Sequence, residues 1–286
     1  MKNLAIRFLT GIVFVALLVG CIVWCDAACY VLFSIVAMLT IFEFCSLMNR
    51  HAGAQVDMML NVIAAFTLFR TVYALPSLSF SRQNFLISLA CYLLVVVCIF
   101  IAEMMRATGN PLRNLSLSLF SHVYIAVPFG LISLLAHRIT DSIGFSGPYN
   151  YVVPLAVFIF LWVSDTGAYC CGSLLHRRFP AKLAPTISPN KTWVGSIGGG
   201  VLCLIASVVL YFCFGTLSLP AWIGLAAVVC IAGTIGDLSE SLFKRQLGIK
   251  DSGNILPGHG GLLDRFDSAL LAIPAAVVYL IYVAAF

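Results

Sequence analysis

Acidic residues with helical spacing are concentrated beyond residue 160 of this chain. Six of the eleven Asp and Glu residues lie there, namely Asp165, Asp237, Glu240, Asp251, Asp264 and Asp267. Asp237, Glu240, Ser241 and Lys244 are spaced i, i+3, i+4 and i+7, so they share one helix face. Asp264 and Asp267 are likewise spaced i and i+3. Carboxylates that converge repel each other unless a proton or a cation relieves the repulsion. A divalent metal such as Mg²⁺, which prefers oxygen ligands, is the economical answer. The alternative is that each acid pairs with a nearby Lys or Arg.

Basic residues and glycines surround these acids. Lys244, Arg245 and Lys250 come first, and the sequence PGHGG over 257–261 then leads into the segment 264–267. Glycines allow backbone N–H groups to approach anionic oxygens, and a helix N-terminus and basic side chains add favourable charge. The pattern therefore predicts a phosphate-binding site. A hydrogen-bonded loop residue without chemistry is the alternative for His259.

A second polar segment, Ser188-Pro189-Asn190-Lys191-Thr192-Trp193, reads as a short turn set by proline at the entrance of a helix. Lys191 would face incoming phosphates there. A Lys beside an aromatic residue is also a common anchor at the membrane interface. The residue types leave these two interpretations of Lys191 evenly balanced.

The elements that position these residues are membrane helices. Hydrophobic residues make up 62% of the 286 residues and charged residues 9%, against about 45–50% and about 25% in soluble domains. This composition excludes a water-soluble globular protein. Because a span needs about 20 apolar residues, we predict an all-α polytopic integral membrane protein with about nine transmembrane helices. They are placed near 5–24, 27–48, 57–75, 85–103, 116–136, 150–171, 193–214, 219–237 and 263–285.

Two of these segments have features that weaken a transmembrane assignment. The first also resembles a secretory signal with a lipoprotein-type processing site before Cys21. Since Ile22, Val23 and Trp24 continue the apolar run, we predict a helix that is not cleaved. The third is interrupted by Asn61 and Arg70, and the alternative for it is an interfacial helix.

Basic residues are distributed unequally between the two ends of the predicted helices. Of the 16 Lys and Arg residues, thirteen share the face of the N-terminus, and only Arg70, Arg82 and Arg138 lie opposite. The positive-inside rule then places the N-terminus in the cytoplasm and the C-terminus outside. The net charge of +5 is explained by orientation, so no nucleic-acid partner is predicted.

The two longest polar connections, 172–192 and 238–262, then emerge together on the cytoplasmic side, where they can meet. Residues 1–140 are predicted to form an N-terminal transmembrane scaffold, and residues 141–286 the catalytic region of one continuous membrane domain. The eleven cysteines include no C-x-x-C and lie mostly in apolar runs, where a thiol packs as a small hydrophobe.

The segment from Ser241 to Asp267 reads SLFKRQLGIKDSGNILPGHGGLLDRFD. It resembles the signature of the phosphatidate cytidylyltransferases, the CDP-diacylglycerol synthases, without a departure from that pattern. Further matches are SDTGAY at 164–169, Ser-Pro-x-Lys-Thr-Trp at 188–193, and Gly-Asp-Leu at 236–238 followed by Glu240. The resemblance is strong over about 160–270.

The resemblance implies a dimeric enzyme of the bacterial cytoplasmic membrane, which joins CTP to phosphatidic acid and releases pyrophosphate for phospholipid biosynthesis. It also implies Mg²⁺, with K⁺ as a second cation. The implied metal ligands are Asp237 and Asp264, supported by Asp267 and Asp165. The implied catalytic residues are Asp237, Asp264, Asp267, Lys244 and His259. The expected substrate-binding residues are Ser188, Lys191, Thr192, Arg245, Lys250, Asp251, Gly260, Gly261 and Arg265, with Asp251 orienting Lys250.

Three other functions are alternatives to this one. A cation-coupled or proton-coupled transporter would explain Asp165 and Glu43 inside spans, but no internal repeat accompanies them. A related enzyme acting on a polyprenol or an ether lipid differs only in its acceptor. A scaffold that recruits partners gives no reason for so tight a grouping of Asp, Lys, His and Gly.

Overall fold

The computed structural model describes residues 2–77, 82–106, 109–139, 145–146, 149–253, 255 and 260–285, and this part of the chain is almost entirely helical. Ten α-helices form it. In chain order they are α1 (Lys2–Trp24), α2 (Asp26–His51), α3 (Met58–Tyr73), α4 (Arg82–Arg106), α5 (Pro111–Ser121), α6 (Val127–Ala136), α7 (Val152–Leu175), α8 (Trp193–Phe214), α9 (Leu219–Gln246) and α10 (Leu263–Ala285). The predicted all-α class is confirmed, apart from two small hairpins.

Seven helical segments in the described residues are long and apolar enough to cross a membrane. One of them, Pro111–Ala136, joins α5 and α6 through a π-helical turn at His122–Ala126. Two shorter apolar helices, Leu9–Trp24 within α1 and Met58–Tyr73, complete the set. These nine segments correspond to the nine predicted helices, and the chain is a multi-pass membrane protein. The predicted weak third helix is the short α3.

Aromatic side chains from four helices form the centre of the bundle. Phe33 of α2 stacks on Phe129 of α6 and Phe158 of α7, with ring centroids 5.9 Å apart in both pairs. Phe266 of α10 meets Phe129 edge to face at 5.2 Å. Phe266 lies in the first turn of α10, directly before Asp267, so packing of its ring fixes the orientation of the acidic segment.

Glycines allow α7 and α8 to approach closely. A Cβ built on Gly199 would lie 2.5 Å from the carbonyl oxygen of Ser164, and one on Gly195 would lie 2.8 Å from that of Ala168. Such contacts exclude any side chain, as small residues do at helix interfaces in membranes. The two helices therefore pack closely along the stretch of α7 that carries Asp165.

The two hairpins are the exceptions to the helical prediction. Strand β1 (Arg138–Ile139) pairs with β2 (Phe145–Ser146), and β3 (Lys182–Ala184) pairs with β4 (Ser188–Thr192), both antiparallel. The sequence predicted only a turn at 188–192, and that prediction was wrong, because these residues form a ladder with 182–184. The hairpin gives Lys191 a fixed position at the entrance of α8.

Candidate active site

The four aspartates predicted to bind metal line one cavity. Asp165 of α7, Asp237 of α9, and Asp264 and Asp267 of α10 border an open cavity of about 930 Å³. Arg265 borders the same cavity. The four carboxylates, which come from separate segments of the sequence, thus border one cavity. Four negative groups beside one cavity repel one another unless a proton, a cation or a basic side chain relieves the repulsion.

Asp237 joins the two polar connections. Its Oδ2 accepts a hydrogen bond from the Lys191 ammonium of β4, and the two residues form an ion pair. Its Oδ1 accepts from Ser241 Oγ, one helical turn further along α9, at 3.3 Å. Arg245 Nε adds a second link by donating to the Ile187 carbonyl oxygen at 3.3 Å. The prediction that the two connections meet is confirmed.

Asp264 is surrounded by donors. Lys244 Nζ donates to its Oδ1 at 2.9 Å, and the backbone N–H groups of Ser252 and Gly261 donate to its Oδ2 at 2.9 Å each. Gly260 has a φ of +81°, and a Cβ there would lie 2.7 Å from Asp264 Oδ2. Glycine is therefore required at position 260 both by its backbone conformation and by the closeness of the carboxylate.

Lys244 also forms an ion pair with Glu240, four residues earlier on α9. Glu240 is completely buried, and its Oε1 has no hydrogen-bond partner among the residues described. The predicted shared face of α9 is thus confirmed, and Glu240 takes the ion-pair role that was one of its two alternatives. One ammonium group is therefore shared between two carboxylates at this point.

The remaining two aspartates have fewer partners. Asp267 Oδ1 accepts from the Ser268 backbone N–H at 2.6 Å. Asp165 is exposed on α7 and belongs to no ion pair among the residues described. Among the residues described, neither side chain takes part in an ion pair, and both border the cavity, where they could bind a ligand.

The donor set suits Mg²⁺ in chemistry, because it consists of carboxylate oxygens around one cavity. Within the described part of the chain, however, no three His, Cys, Asp or Glu side chains are close enough together to form a metal site. Lys191 and Lys244 hold oxygens of Asp237 and Asp264. The lysines stabilise the closely placed carboxylates by charge pairing, and the metal assignment stays a prediction.

The residues predicted to bind substrate lie in three places. Arg265 borders the aspartate cavity, whereas Lys250 and Asp251 line a second cavity of about 590 Å³ together with Arg50 and His51. Ser188 and Lys191 belong to β4, and Arg245 is exposed near the end of α9. Gly260 and Gly261 contribute backbone beside Asp264. His259 lies outside the described residues.

Thr192 requires a correction. It is 5% exposed, and its Oγ1 accepts a hydrogen bond from the Gly195 N–H at 3.2 Å. This is the geometry of an N-cap, which satisfies a free backbone donor at the start of α8. The hydroxyl of Thr192 therefore stabilises the helix and does not face a substrate.

Two contributions to the site come from the half of the chain predicted to be scaffold. The wall of the aspartate cavity includes α1 residues such as Gly11, Val15 and Ala16. Glu43 of α2 reaches the loop that precedes α10. A carboxylate inside an apolar helix itself indicates a function. In the sequence, Glu43 supports only the transporter alternative. The division at residue 140 stays a prediction, and helices on both sides of it build the site.

Comparison with known proteins identifies the family of this chain. The model of the cytidylyltransferase family matches residues 5–283, and the chain belongs to this family. The chain is similar to the phosphatidate cytidylyltransferase of Staphylococcus haemolyticus, at 47% identity over 129 residues. It is also similar to that of Staphylococcus aureus strain COL, at 45% identity over the same length. These alignments cover 44% of this chain and 48% of each relative, so the chain spans about half the length of the curated relatives it matches.

Proposed function

We propose that this membrane protein transfers a cytidylyl group from CTP to phosphatidic acid, giving CDP-diacylglycerol and pyrophosphate. One observation carries the proposal. The cavity that holds the four aspartates continues along apolar residues of α1 and α7, including Phe14, Val15, Leu161 and Trp162. A lipid bound there would keep its acyl chains against apolar side chains, while its phosphate meets the polar residues.

The reaction needs positioning more than base catalysis. The second pKa of a phosphomonoester is near 6, so the phosphatidate oxygen is already largely ionised at pH 7. That oxygen attacks the α-phosphorus of CTP, a new P–O bond forms, the bond to the β-phosphate oxygen breaks, and pyrophosphate leaves. The main barrier is the approach of two anions, which fixed positive groups lower.

This chain supplies such groups at the cavity. Lys191, Lys244 and Arg265 lie beside the aspartates, and the first two are held by ion pairs in fixed positions. We assign them to the phosphates of CTP and of the lipid. Two further basic residues lie outside this cavity: Arg245 is bonded to the Ile187 carbonyl oxygen, and Lys250 lines the second cavity. We assign them to the phosphates of incoming CTP.

Asp237 and Asp264 would hold Mg²⁺, with Asp267 and Asp165 as supporting ligands and K⁺ as a second cation. When bound, Mg²⁺ supplies Lewis-acid polarisation of the α-phosphate and neutralises charge on the triphosphate. The support is the chemistry of the donor set: four carboxylates from three helices around one cavity. Hard oxygen ligands of this type, together with substrate phosphates, are the usual protein environment of Mg²⁺.

We further propose a homodimer in the bacterial cytoplasmic membrane, with the N-terminus and the catalytic loops in the cytoplasm. The support for the orientation is the distribution of basic residues together with the antiparallel order of the helices. Arg106 and Arg113, from the ends of α4 and α5, reach the connection between α2 and α3, where they bond the carbonyls of Gln55 and Ala52. These basic ends therefore lie together, as the positive-inside rule requires.

The acceptor is tested with purified protein, CTP labelled at the α-phosphate, and a panel of lipids. We expect the label to enter the lipid fraction with phosphatidic acid and not with diacylglycerol, which lacks the attacking phosphate. The panel also contains an ether-linked phosphatidic acid and a polyprenyl phosphate, because a related enzyme would use one of these lipids as its acceptor. Labelling of the polyprenyl lipid alone would contradict the proposal.

A further inference from the structure

Glu43 is a buried carboxylate that lies more than 200 residues before the loop that precedes α10. It is nevertheless hydrogen-bonded to that loop. It lies on α2 and is 5% exposed. Its Oε1 accepts from Ser252 Oγ, and its Oε2 accepts from the Leu262 backbone N–H at 2.8 Å. The two donors flank the segment 253–261, so one carboxylate holds both ends of that loop.

The glycines beside Glu43 show how closely the loop is fitted to it. A Cβ on Gly261 would lie 1.6 Å from Glu43 Oε1, and a Cβ on Gly253 would lie 2.8 Å from Glu43 Cδ. No side chain fits at either position while Glu43 keeps its place. Both ends of the loop are therefore shaped around this one carboxyl group.

The same two ends are bonded to Asp264 from the other side. Ser252 donates its hydroxyl to Glu43 and its backbone N–H to Asp264 Oδ2, the latter at 2.9 Å. Gly261 N–H donates to Asp264 Oδ2 and the next N–H, of Leu262, donates to Glu43. Adjacent donors are thus divided between two carboxylates, so displacement of Glu43 would move the donors that orient Asp264.

We propose that Glu43 is a positioning residue of this site, which fixes the Asp264 carboxylate through Ser252 and the 261–262 backbone. The proposal rests on the function proposed above, because Asp264 is the residue whose placement serves the reaction. Among the residues described, Glu43 forms hydrogen bonds with the loop and not with Asp264, and it borders the second cavity instead of the aspartate cavity. A buried carboxylate in a membrane span carries a desolvation penalty, and the accepted hydrogen bonds offset it.

Glu43→Ala and Glu43→Gln test the proposal, with Glu103→Ala as the matched control. Glu103 is also a buried carboxylate of a membrane helix, 6% exposed, but it bonds Asn114 and Arg106 away from the cavity. We expect Glu43→Ala to lower kcat about 100-fold, since a displacement of about 1 Å in a reacting constellation has an effect of this size. The Mg²⁺ concentration for half-maximal activity should rise as well. Glu103→Ala should leave both parameters near wild type.

Glu43→Gln should restore much of the lost rate. Its amide oxygen can still accept from Leu262 N–H, and its amide group can donate to Ser252 Oγ. A purely structural role would instead give equal losses of stability in Glu43→Ala and Glu103→Ala. In both variants kcat per folded molecule and the Mg²⁺ dependence would then be unchanged. That outcome would overturn the proposal.

Hydrogen exchange supplies a readout that does not depend on activity. In Glu43→Ala the peptide covering 250–263 should exchange at least about tenfold faster than in wild type, since the lost bond to a charged acceptor is worth at least that factor. The same peptide should be unchanged in Glu103→Ala. Unchanged exchange in Glu43→Ala would refute the inference, whether or not the proposed reaction occurs. If wild type lacked the activity while the exchange changed as expected, the proposed function would fail and the role of Glu43 in the loop would stand.

Discussion

Replacement of Asp264 by Asn separates the charge of this residue from its shape. The carboxylate accepts from Lys244 Nζ through Oδ1 and from the backbone N–H groups of Ser252 and Gly261 through Oδ2. Asn can keep its oxygen at the Oδ2 position and retain both backbone bonds. Its NH₂ group then faces the Lys244 ammonium, donor against donor, so the charge-assisted bond is lost.

The expected magnitude combines that lost bond with the loss of a proposed metal ligand. A hydrogen bond to a charged group contributes about 1.5–3 kcal/mol, and a 100-fold loss of rate corresponds to about 2.7 kcal/mol. We therefore expect Asp264→Asn to lose more than 99% of its activity, with loss of a proposed metal ligand adding to the effect. Lys244 keeps its ion pair with Glu240, so the variant should still insert and purify normally.

The assay is pyrophosphate release from CTP and dioleoyl phosphatidic acid by detergent-solubilised protein, with thermal unfolding as the check on folding. Asp57→Asn is the matched control. Asp57 caps α3 by accepting from Leu60 N–H at 3.0 Å, away from the cavity, and Asn caps helices as well as Asp does. Near-normal turnover in Asp264→Asn would refute the reasoning about this site.

Three further substitutions test the surrounding structure. Gly199→Ala should destabilise the protein by about 1–3 kcal/mol, because its Cβ would lie 2.5 Å from the Ser164 carbonyl oxygen. Gly200→Ala is the control, since the nearest atom to a Cβ there is 3.8 Å away. Equal thermal unfolding of the two variants would contradict the close contact. Thr192→Val should remove the cap of α8 and lower Tm by about 2–4 °C, and Thr192→Ser should preserve it; equal melting of the two variants would count against the cap. Ala16→Trp, in the cavity wall, should raise KM for phosphatidic acid about tenfold, or about 1.4 kcal/mol, and leave KM for CTP unchanged. Leu17 does not line the cavity, so Leu17→Trp should leave both KM values unchanged. Equal steady-state kinetics in the two variants would place the lipid elsewhere.

Much of this architecture is readable in the sequence because it depends on local pattern. Apolar runs define the helices, and the spacing of Asp237, Glu240, Ser241 and Lys244 predicts one helix face, which α9 confirms. The convergence of aspartates from α7, α9 and α10 follows from placing the polar connections on one side of the membrane. These inferences need only hydropathy and helical periodicity.

The parts that the sequence did not predict depend on contacts between distant residues. Glu43 bonds Ser252 and Leu262 across more than 200 positions, and no local pattern indicates that pairing. The hairpin of β3 and β4 is short and polar, so it lacks the alternation that predicts a strand. The capping role of Thr192 appears only once the first residue of α8 is known.

The most direct test of the central claim uses purified wild-type protein with CTP and phosphatidic acid, in Mg²⁺ or in EDTA. The account predicts that pyrophosphate and a CDP-lipid form in equal amounts, that both need phosphatidic acid, and that EDTA abolishes them until Mg²⁺ is restored. Folded protein that forms no CDP-lipid under these conditions, with ether and polyprenyl phosphates also inactive, would contradict it.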